Sequence, residues 1–318
     1  MMKHCLSGLE FSPADTLQLL ALAQAQKAFP ENYQHTLAGK SVVTLFEKPS
    51  LRTRLSFDIG LQKLGGHAVY LNEQGQGMGM GVRETVADYA RNLSCWADAI
   101  VARVMSHSTL EELAQHASVP VVNSLCDLFH PCQALADFLT LQEQYGKLKG
   151  LKLVYLGDGN NVSHSLMLTA ATVGTDCTII CPKGYEPDAD LVEKAKTLAK
   201  KSGANIVVTH DIAAVAGADA LYTDTWVSMG DDKPLDEVRE IFHPYQINAQ
   251  LVEHSGATSV LHCQPAHRGY EITSDVMDGP LSRCFQQAEN RLYAQNALLT
   301  LLLNPTAAVL PESMEKAS

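Results

Sequence analysis

The stretch EKPSLRTRLSF (47–57) sets Lys48, Arg52 and Arg54 within seven residues, beside the hydroxyls of Ser50 and Thr53. Pro49 stops the preceding apolar run and Ser50 can cap a helix, so the arginines fall in a first helical turn. Unpaired N–H groups and a partial positive charge collect at such a terminus, and added cations oppose the dipole unless an anion compensates. A phosphate would supply that anion, and Arg52 offers a planar fork suited to its oxygens. The alternative is a capped helix with a solvated basic first turn.

Four further stretches carry polar chemistry where an apolar run gives way. HPCQALADF (130–138) puts His130 and Gln133 between a strand and a helix, where an imidazole and a carboxamide can bond a carbonyl and an amide N–H together. Alone, it reads equally as a packed loop histidine. LGDGNNVSHS (156–165) resembles a dinucleotide turn, but the third glycine position is Val162 and no acid for a ribose follows the next strand, which argues against NAD. Its Asn160 and Asn161 can still meet a polar ligand. In TDTWVSMG (223–230), Asp224 can hold an ammonium and Ser228 can donate or accept. In HCQPAHRG (262–269), Cys263 lies beside His262 and near His267. No nucleophile elbow precedes it, so a ligand-orienting or proton-relaying thiol fits better than a covalent one.

Elements that would position these residues are readable around them. SPADTLQLLALAQAQKAF begins a helix with Ser12 as cap, Pro13 in the first turn, and a stripe of Leu17, Leu20 and Ala21. SVVTLF and HAVYL read as strands, and between them Leu51, Leu55 and Ile59 recur at helical spacing until Gly65. Helix (84–96), strand (98–103), helix (108–117) and strand (119–122) continue the alternation. A second alternation follows EQYGKLKG, with strands near LKLVYLG, DCTIIC, ANIVVT, ALYTDTW and TSVLHC. The pattern predicts an α/β fold of two similar-sized domains, each a mostly parallel sheet flanked by helices. The boundary is expected within or after the helix CQALADFLTLQEQYG, and a last helix covers ENRLYAQNALLTLLL. NEQGQGMGMGVR (72–83) reads as a mobile loop.

The totals exclude several classes. With 318 residues, 46% hydrophobic, the chain can bury sizeable cores. A net charge of −11 argues against a general nucleic-acid or membrane-surface binder, because only local basic spots occur. The eight cysteines form no CxxC pair and no zinc-like grouping, and Cys177 and Cys181 read as inert core thiols. Without a signal-like start or an apolar run of about 18 residues, the expected location is the cytoplasm.

Taken in order, Ser50-Leu51-Arg52-Thr53-Arg54, His130-Pro131-Cys132-Gln133, Asp224 to Gly230 and His262-Cys263-Gln264-Pro265 resemble the aspartate and ornithine carbamoyltransferase superfamily over nearly the whole chain. Ser228-Met229-Gly230 looks like its ornithine-specific branch. The resemblance implies a carbamoyl-phosphate domain over 1–140, with a C-terminal helix (288–318) packing back on it, and an ornithine domain over 141–287. It implies Ser50, Leu51, Arg52, Thr53, Arg103, His130, Gln133 and Arg291 around carbamoyl phosphate. Asn161, Asp224, Ser228 and Met229 would surround ornithine, with Cys263 and Gln264 near the reacting amine. Arg103, His130, Asp224 and Cys263 would be catalytic. The implied reaction makes citrulline and phosphate in arginine metabolism, without metal or organic cofactor, in a homotrimer or a multiple of one, with domain closure excluding water.

This sequence departs from the family pattern at three places. Leu51 stands where threonine is usual, and backbone N–H groups could cover the lost hydroxyl. Gln264 stands where leucine is usual and could alter contacts at the amine. Where the family places a glutamine that reaches a neighbouring subunit's site, this chain reads Met78-Gly79-Met80, so either Gln74 or Gln76 substitutes or that contact is missing.

Overall fold

A computed structural model describes residues 4–72, 80–227, 235–308 and 310. The chain divides into two units, Met1–Leu139 with Glu289–Ser318, and Thr140–Ala288. Each is a parallel sheet flanked by helices, as the strand and helix alternation predicts.

In the first unit the order is α1 (Pro13–Ala28), β1 (Ser41–Phe46), α2 (Leu51–Lys63), β2 (His67–Asn72), α3 (Val86–Trp96), β3 (Ala99–Arg103), α4 (His107–His116) and β4 (Val121–Leu125). Ser12 and Asp15 form a reciprocal capping box at α1, with Pro13 at its first position. All pairings are parallel, in sheet order β2-β1-β3-β4. After β2 the chain crosses to the other side of β1, so the strand order reverses between β1 and β3. The carboxyl ends of strands at such a point form a natural ligand crevice, because the loops leaving them diverge.

Two stripes face differently from the spacing's expectation. In α2 the repeating Leu51, Leu55 and Ile59 point outward, with 70%, 45% and 43% of their surface exposed. The inner face carries Thr53, Phe57, Gly60 and Leu61 instead. Gly60 packs closely there: a Cβ on it would meet Asn296 Oδ1 at 2.3 Å, so the Asn296 side chain would have to move. Periodicity marks a helix but cannot say which of two apolar stripes has a neighbour to cover it. In α1, Leu17 is likewise exposed, while Leu19, Leu20, Leu22 and Ala23 form the buried face. Phe46 and Phe57 are fully buried, each a gain of about 2 to 3 kcal/mol before entropy.

Helix α5 (Pro131–Tyr145) contributes residues to both units. The second unit continues with β5 (Lys152–Leu156), α6 (Asn161–Val173), β6 (Asp176–Ile180), α7 (Ala189–Ser202), β7 (Ile206–Thr209), β8 (Ala220–Thr223), α8 (Leu235–Phe242), α9 (Ala249–Ser255), β9 (Ser259–His262), α10 (Ser274–Met277) and α11 (Cys284–Leu303). The sheet order is β7-β6-β5-β8-β9, again parallel throughout, with the reversal between β5 and β8. Its core gathers Val154, Leu156, Ile180, Leu221, Val260 and Ile272.

Helix α11 starts at Cys284, before the expected Glu289, and from Glu289 onward it belongs to the first unit. There Thr300 Oγ1 accepts from Gln26 (3.0 Å), Asn290 Oδ1 from Lys27 (2.8 Å), and Asn304 donates to Thr36 O (2.9 Å). Cys177 and Cys181 are buried, and desolvation pushes both thiols up to about 12, well away from reactive thiolate character.

Candidate active site

In the first unit, the carboxyl ends of β1, β3 and β4 bring together most of the residues expected around an anion. Ser50 caps α2 by accepting from Thr53 N–H (3.3 Å). Arg103 ends β3 opposite Phe46 of β1, and His130 follows β4 with its carbonyl accepting the first turn of α5. Glu47 ties the two loops: its N–H donates to Arg103 O (2.9 Å) and its Oε2 accepts from Met105 N–H (2.6 Å).

Arg291, arriving from α11, locks this group. Its guanidinium donates to Gln133 Oε1 and to Thr53 Oγ1 (3.2 Å), and Gln133 donates in turn to Asp137 Oδ1 (2.7 Å). Gln295, with its amide oxygen turned toward Arg291, accepts from Nε and Nη2 at 3.2 Å and donates to Ser56 Oγ at 2.7 Å. A threonine hydroxyl that accepts from arginine keeps its own proton to donate. Leu51 presents its side chain to solvent, so only its backbone N–H could serve an anion. Arg54 turns away: its guanidinium lies 3.9 Å from the Tyr70 ring centre, and Nε is 3.5 Å from Asp58. The cations of EKPSLRTRLSF therefore divide, Arg54 being compensated within its own helix.

The remaining cations crowd one another. Arg103 is buried with its Nε unpartnered, and desolvation followed by the charges of Arg291 and Arg52 brings its guanidinium down to about 10. Burial, then Arg291 and Arg103, hold the His130 imidazole well below its usual 6.5. It is therefore neutral near pH 7 and donates through one ring N–H. Below about 6.5 the unfolded chain takes up a proton that native His130 refuses, so this group's stability contribution is full above that pH and lost on acidification. The ligand-free protein should show a falling melting temperature from about pH 6.5 to about pH 5, with a shallower fall in His130→Asn. Equal slopes in the two melting series would contradict the assignment.

In the second unit, Asp224 directly follows β8 and Cys263 directly follows β9, with Thr223 paired to His262 in the sheet. The Cys263 thiol donates to Asp224 Oδ1 (2.8 Å), which also accepts from Thr225 N–H (2.8 Å). Asp224 Oδ2 accepts from Asn160 Nδ2 (3.0 Å). Asn161, expected at the ligand, is the first residue of α6, while Asn160 is its cap. Ser228, Met229 and Gly230 lie outside the described residues, as do Gln74, Gln76, Met78 and Gly79.

The turn carrying Cys263 is held from behind. His262 Nδ1 accepts from Gln264 N–H (2.8 Å), so its Nε2 carries the proton toward Glu271 Oε1 (3.0 Å). Gln264 adopts a left-handed φ of 60° before a cis bond to Pro265. Glu271 also accepts from His267 N–H, and Thr225 Oγ1, which donates to Val227 O (3.1 Å), accepts from His267 Nδ1 (3.0 Å). Asp224, His262 and Cys263 present ligand atoms within 4.8 Å of one another, as a metal site would. Both His262 nitrogens are already engaged, and the Cys263 thiol donates its proton to a hydrogen bond with Asp224 Oδ1, so the arrangement works as a hydrogen-bond network. Sequence reasoning missed Glu271, Thr225 and Asp137, which carry no motif of their own. The dinucleotide-like turn has a packing role: a Cβ on Gly159 would lie 2.2 Å from Pro187 N, and Gly159 N–H donates to Tyr185 O (2.8 Å).

Two doubly wound units, one with a cationic crevice and one with a carboxylate and thiol at the same topological position, define a two-domain α/β protein with polar groups at the carboxyl edge of each sheet. Residues 3–143 match the family Aspartate/ornithine carbamoyltransferase, carbamoyl-P binding domain, and residues 149–302 match its Asp/Orn binding domain. An ornithine carbamoyltransferase from Vibrio sp. (strain 2693) is 59% identical over 302 residues, covering 95% of this chain and 100% of that relative. Among solved structures, ornithine carbamoyltransferase from Pyrococcus furiosus superposes with a TM-score of 0.90 at 45% identity, covering 95% of this chain and 97% of that one. An acetylornithine transcarbamylase complexed with acetylcitrulline gives 0.85 at 31% identity, covering 95% and 99%. The chain belongs to the aspartate/ornithine carbamoyltransferase family.

Proposed function

We propose that this chain transfers the carbamoyl group of carbamoyl phosphate to the δ-amine of L-ornithine, giving L-citrulline and phosphate, as part of arginine metabolism. The observation that carries this reading is the crowding of buried Arg103 and Arg291 with half-buried Arg52 beside buried, neutral His130, a set of donors in which an oxyanion relieves the repulsion among the three guanidinium groups. Its choice of amine rests on relatives named for ornithine, one of them 59% identical, against 31% for a structure named for acetylornithine.

The phosphate is held by the α2 N-terminus with Ser50, Arg52 and Thr53, and Leu51 adds only its backbone N–H. Arg103 and His130 donate to the carbonyl oxygen, with Gln133 orienting the carbamoyl nitrogen and Arg291 bracing Thr53 and Gln133. As the amine attacks, the carbonyl oxygen gains charge. Donors already aimed at it need no reorganisation, which is worth about 3 kcal/mol for each well-placed one. Arg103 is still charged at neutral pH, and His130 donates without carrying a proton that it must lose.

An alkylammonium resembling lysine has a pKa of about 10.4 and must become neutral to attack. Asp224, whose Oδ1 accepts the Cys263 S–H, pairs with the ammonium and takes one of its protons, which the carboxylate and thiol relay to solvent, leaving a neutral amine to attack. Asn161, Ser228 and Met229 complete the ornithine set, and Gln264 sits beside the amine. The exposed Leu51, Leu55 and Ile59 stripe supports burial against other copies, so a homotrimer or a multiple of one is part of the proposal, in the cytoplasm. No helix among the described residues is long and apolar enough to cross a membrane.

The test is a steady-state comparison of ornithine, acetylornithine, putrescine and aspartate as acceptors of the carbamoyl group. Ornithine should lead in kcat/KM by about a thousandfold or more, since Asn161, Asp224, Ser228 and Met229 surround its α-carboxylate and free α-amine in this reading, and an amine without them leaves those groups unpaired. Another amine in the lead would reassign the second unit; no product with any would remove the enzyme reading. Sedimentation should give three times the 34.5 kDa chain mass, or a multiple; a monomer would remove the assembly.

A further inference from the structure

Asn160 performs two tasks with one side chain. Its Oδ1 accepts from the N–H groups of Val162 (3.0 Å) and Ser163 (3.1 Å), capping α6. Those two donors fix which way the amide faces, because only oxygen can accept them. The Nδ2 group must then point the other way, and it donates to Asp224 Oδ2 at 3.0 Å. A helix cap thus dictates where an amide donor meets a carboxylate 64 residues further along the chain.

The consequence lies in how Asp224's acceptor capacity is spent. An ionised carboxylate offers about four lone-pair sites. Thr225 N–H and the Cys263 thiol occupy Oδ1, and Asn160 occupies one side of Oδ2. Among the described residues, the acceptor position left belongs to Oδ2, on the side away from Asn160. Without the amide, Oδ2 would have two open positions and the carboxylate could rotate away from the thiol.

We propose that Asn160 is a positioning residue for the amine half-site: it uses the α6 N-terminus as a fixed mount to hold Asp224 with a single acceptor position aimed at an ammonium. The proposal rests on the reading of Asp224 as the ornithine-binding carboxylate. Asn160 does not itself touch the reacting atoms. It confers affinity for a cationic amine by restricting the carboxylate that binds it.

Capping and positioning separate cleanly by substitution. Asn160→Asp retains a cap oxygen of equal quality, and the helix dipole favours its charge. It replaces the amide donor with a second acceptor facing Asp224. The expected result is a rise in KM for ornithine of about 10- to 100-fold, the scale for hydrogen bonds to charged groups, with kcat falling less. The calorimetric affinity for carbamoyl phosphate alone should match the parent, while the melting temperature should fall, because the new carboxylate faces Asp224. Asn160→Ser, which caps without an amide, should raise the same KM about tenfold, and serves if the aspartate variant fails to fold. An ornithine KM within about twofold of the parent in a folded variant overturns the proposal, leaving Asn160 a cap only.

Combining Asn160→Ser with Asp224→Ala tests the route. The serine change should add nothing once Asp224 is gone, and full additivity overturns the proposal. If Asp224→Ala alone leaves ornithine KM unchanged, it is the underlying assignment of Asp224 that fails, so the two failures are distinguishable.

Discussion

Replacing Arg103 with methionine is expected to lower kcat/KM for carbamoyl phosphate by about a thousandfold, the scale for losing a preorganised donor to a developing oxyanion. The same change should leave the melting temperature of the ligand-free protein unchanged or higher. Arg103 is buried with an unpartnered Nε, and Arg291 and Arg52 lower its affinity for its own proton. A buried cation among cations is destabilising until an anion arrives, and an apolar residue of similar volume removes that cost. Activity and stability therefore move in opposite directions. Steady-state rates and thermal melts on one preparation read both, and a residual kcat/KM within about tenfold of the parent would exclude Arg103 from the reaction.

Asp224→Ala should cut kcat/KM for ornithine by about a hundredfold or more, while carbamoyl phosphate affinity measured alone stays at the parent value. The carboxylate has two functions to lose. It binds the ammonium, and it accepts the Cys263 proton at 2.8 Å. The residues proposed to bind phosphate belong to the other unit, so their affinity has no reason to change. Equal losses for both substrates would mean that Asp224 serves the fold and not the amine.

The strands and the turns that follow them were legible because their signals are local. Apolar runs ending in Thr223, His262 or Arg103 announce parallel strands, and polar residues just past such runs fall at the carboxyl edge whatever the strand order turns out to be. Ser12 and Ser50 were readable as caps for the same reason. Which face of α2 is inward was not, since the answer depends on the close approach of Gly60 to Asn296, 236 positions away in sequence. Arg54 looked like Arg52 in the sequence and differs only by having Tyr70 and Asp58 within reach. Glu271 was invisible because nothing in its local surroundings distinguishes it from a surface acid, yet it is buried against His262. The anion set was named from family resemblance, and local pattern alone supplied a choice between a phosphate site and a solvated basic turn.

Helix α11 also imposes an order on biosynthesis. The second unit has all of its residues once Ala288 has been made, but the first must wait for Glu289 onward. Arg291, which braces Gln133 and Thr53, is translated 158 residues after the former and 238 after the latter. A nascent chain emerging from the ribosome therefore carries an unfinished first unit throughout synthesis of the second, contrary to the usual order in which the first domain completes first. The anion pocket closes only after the second unit is complete, so a chain that terminates before Arg291 lacks the guanidinium that holds the pocket together.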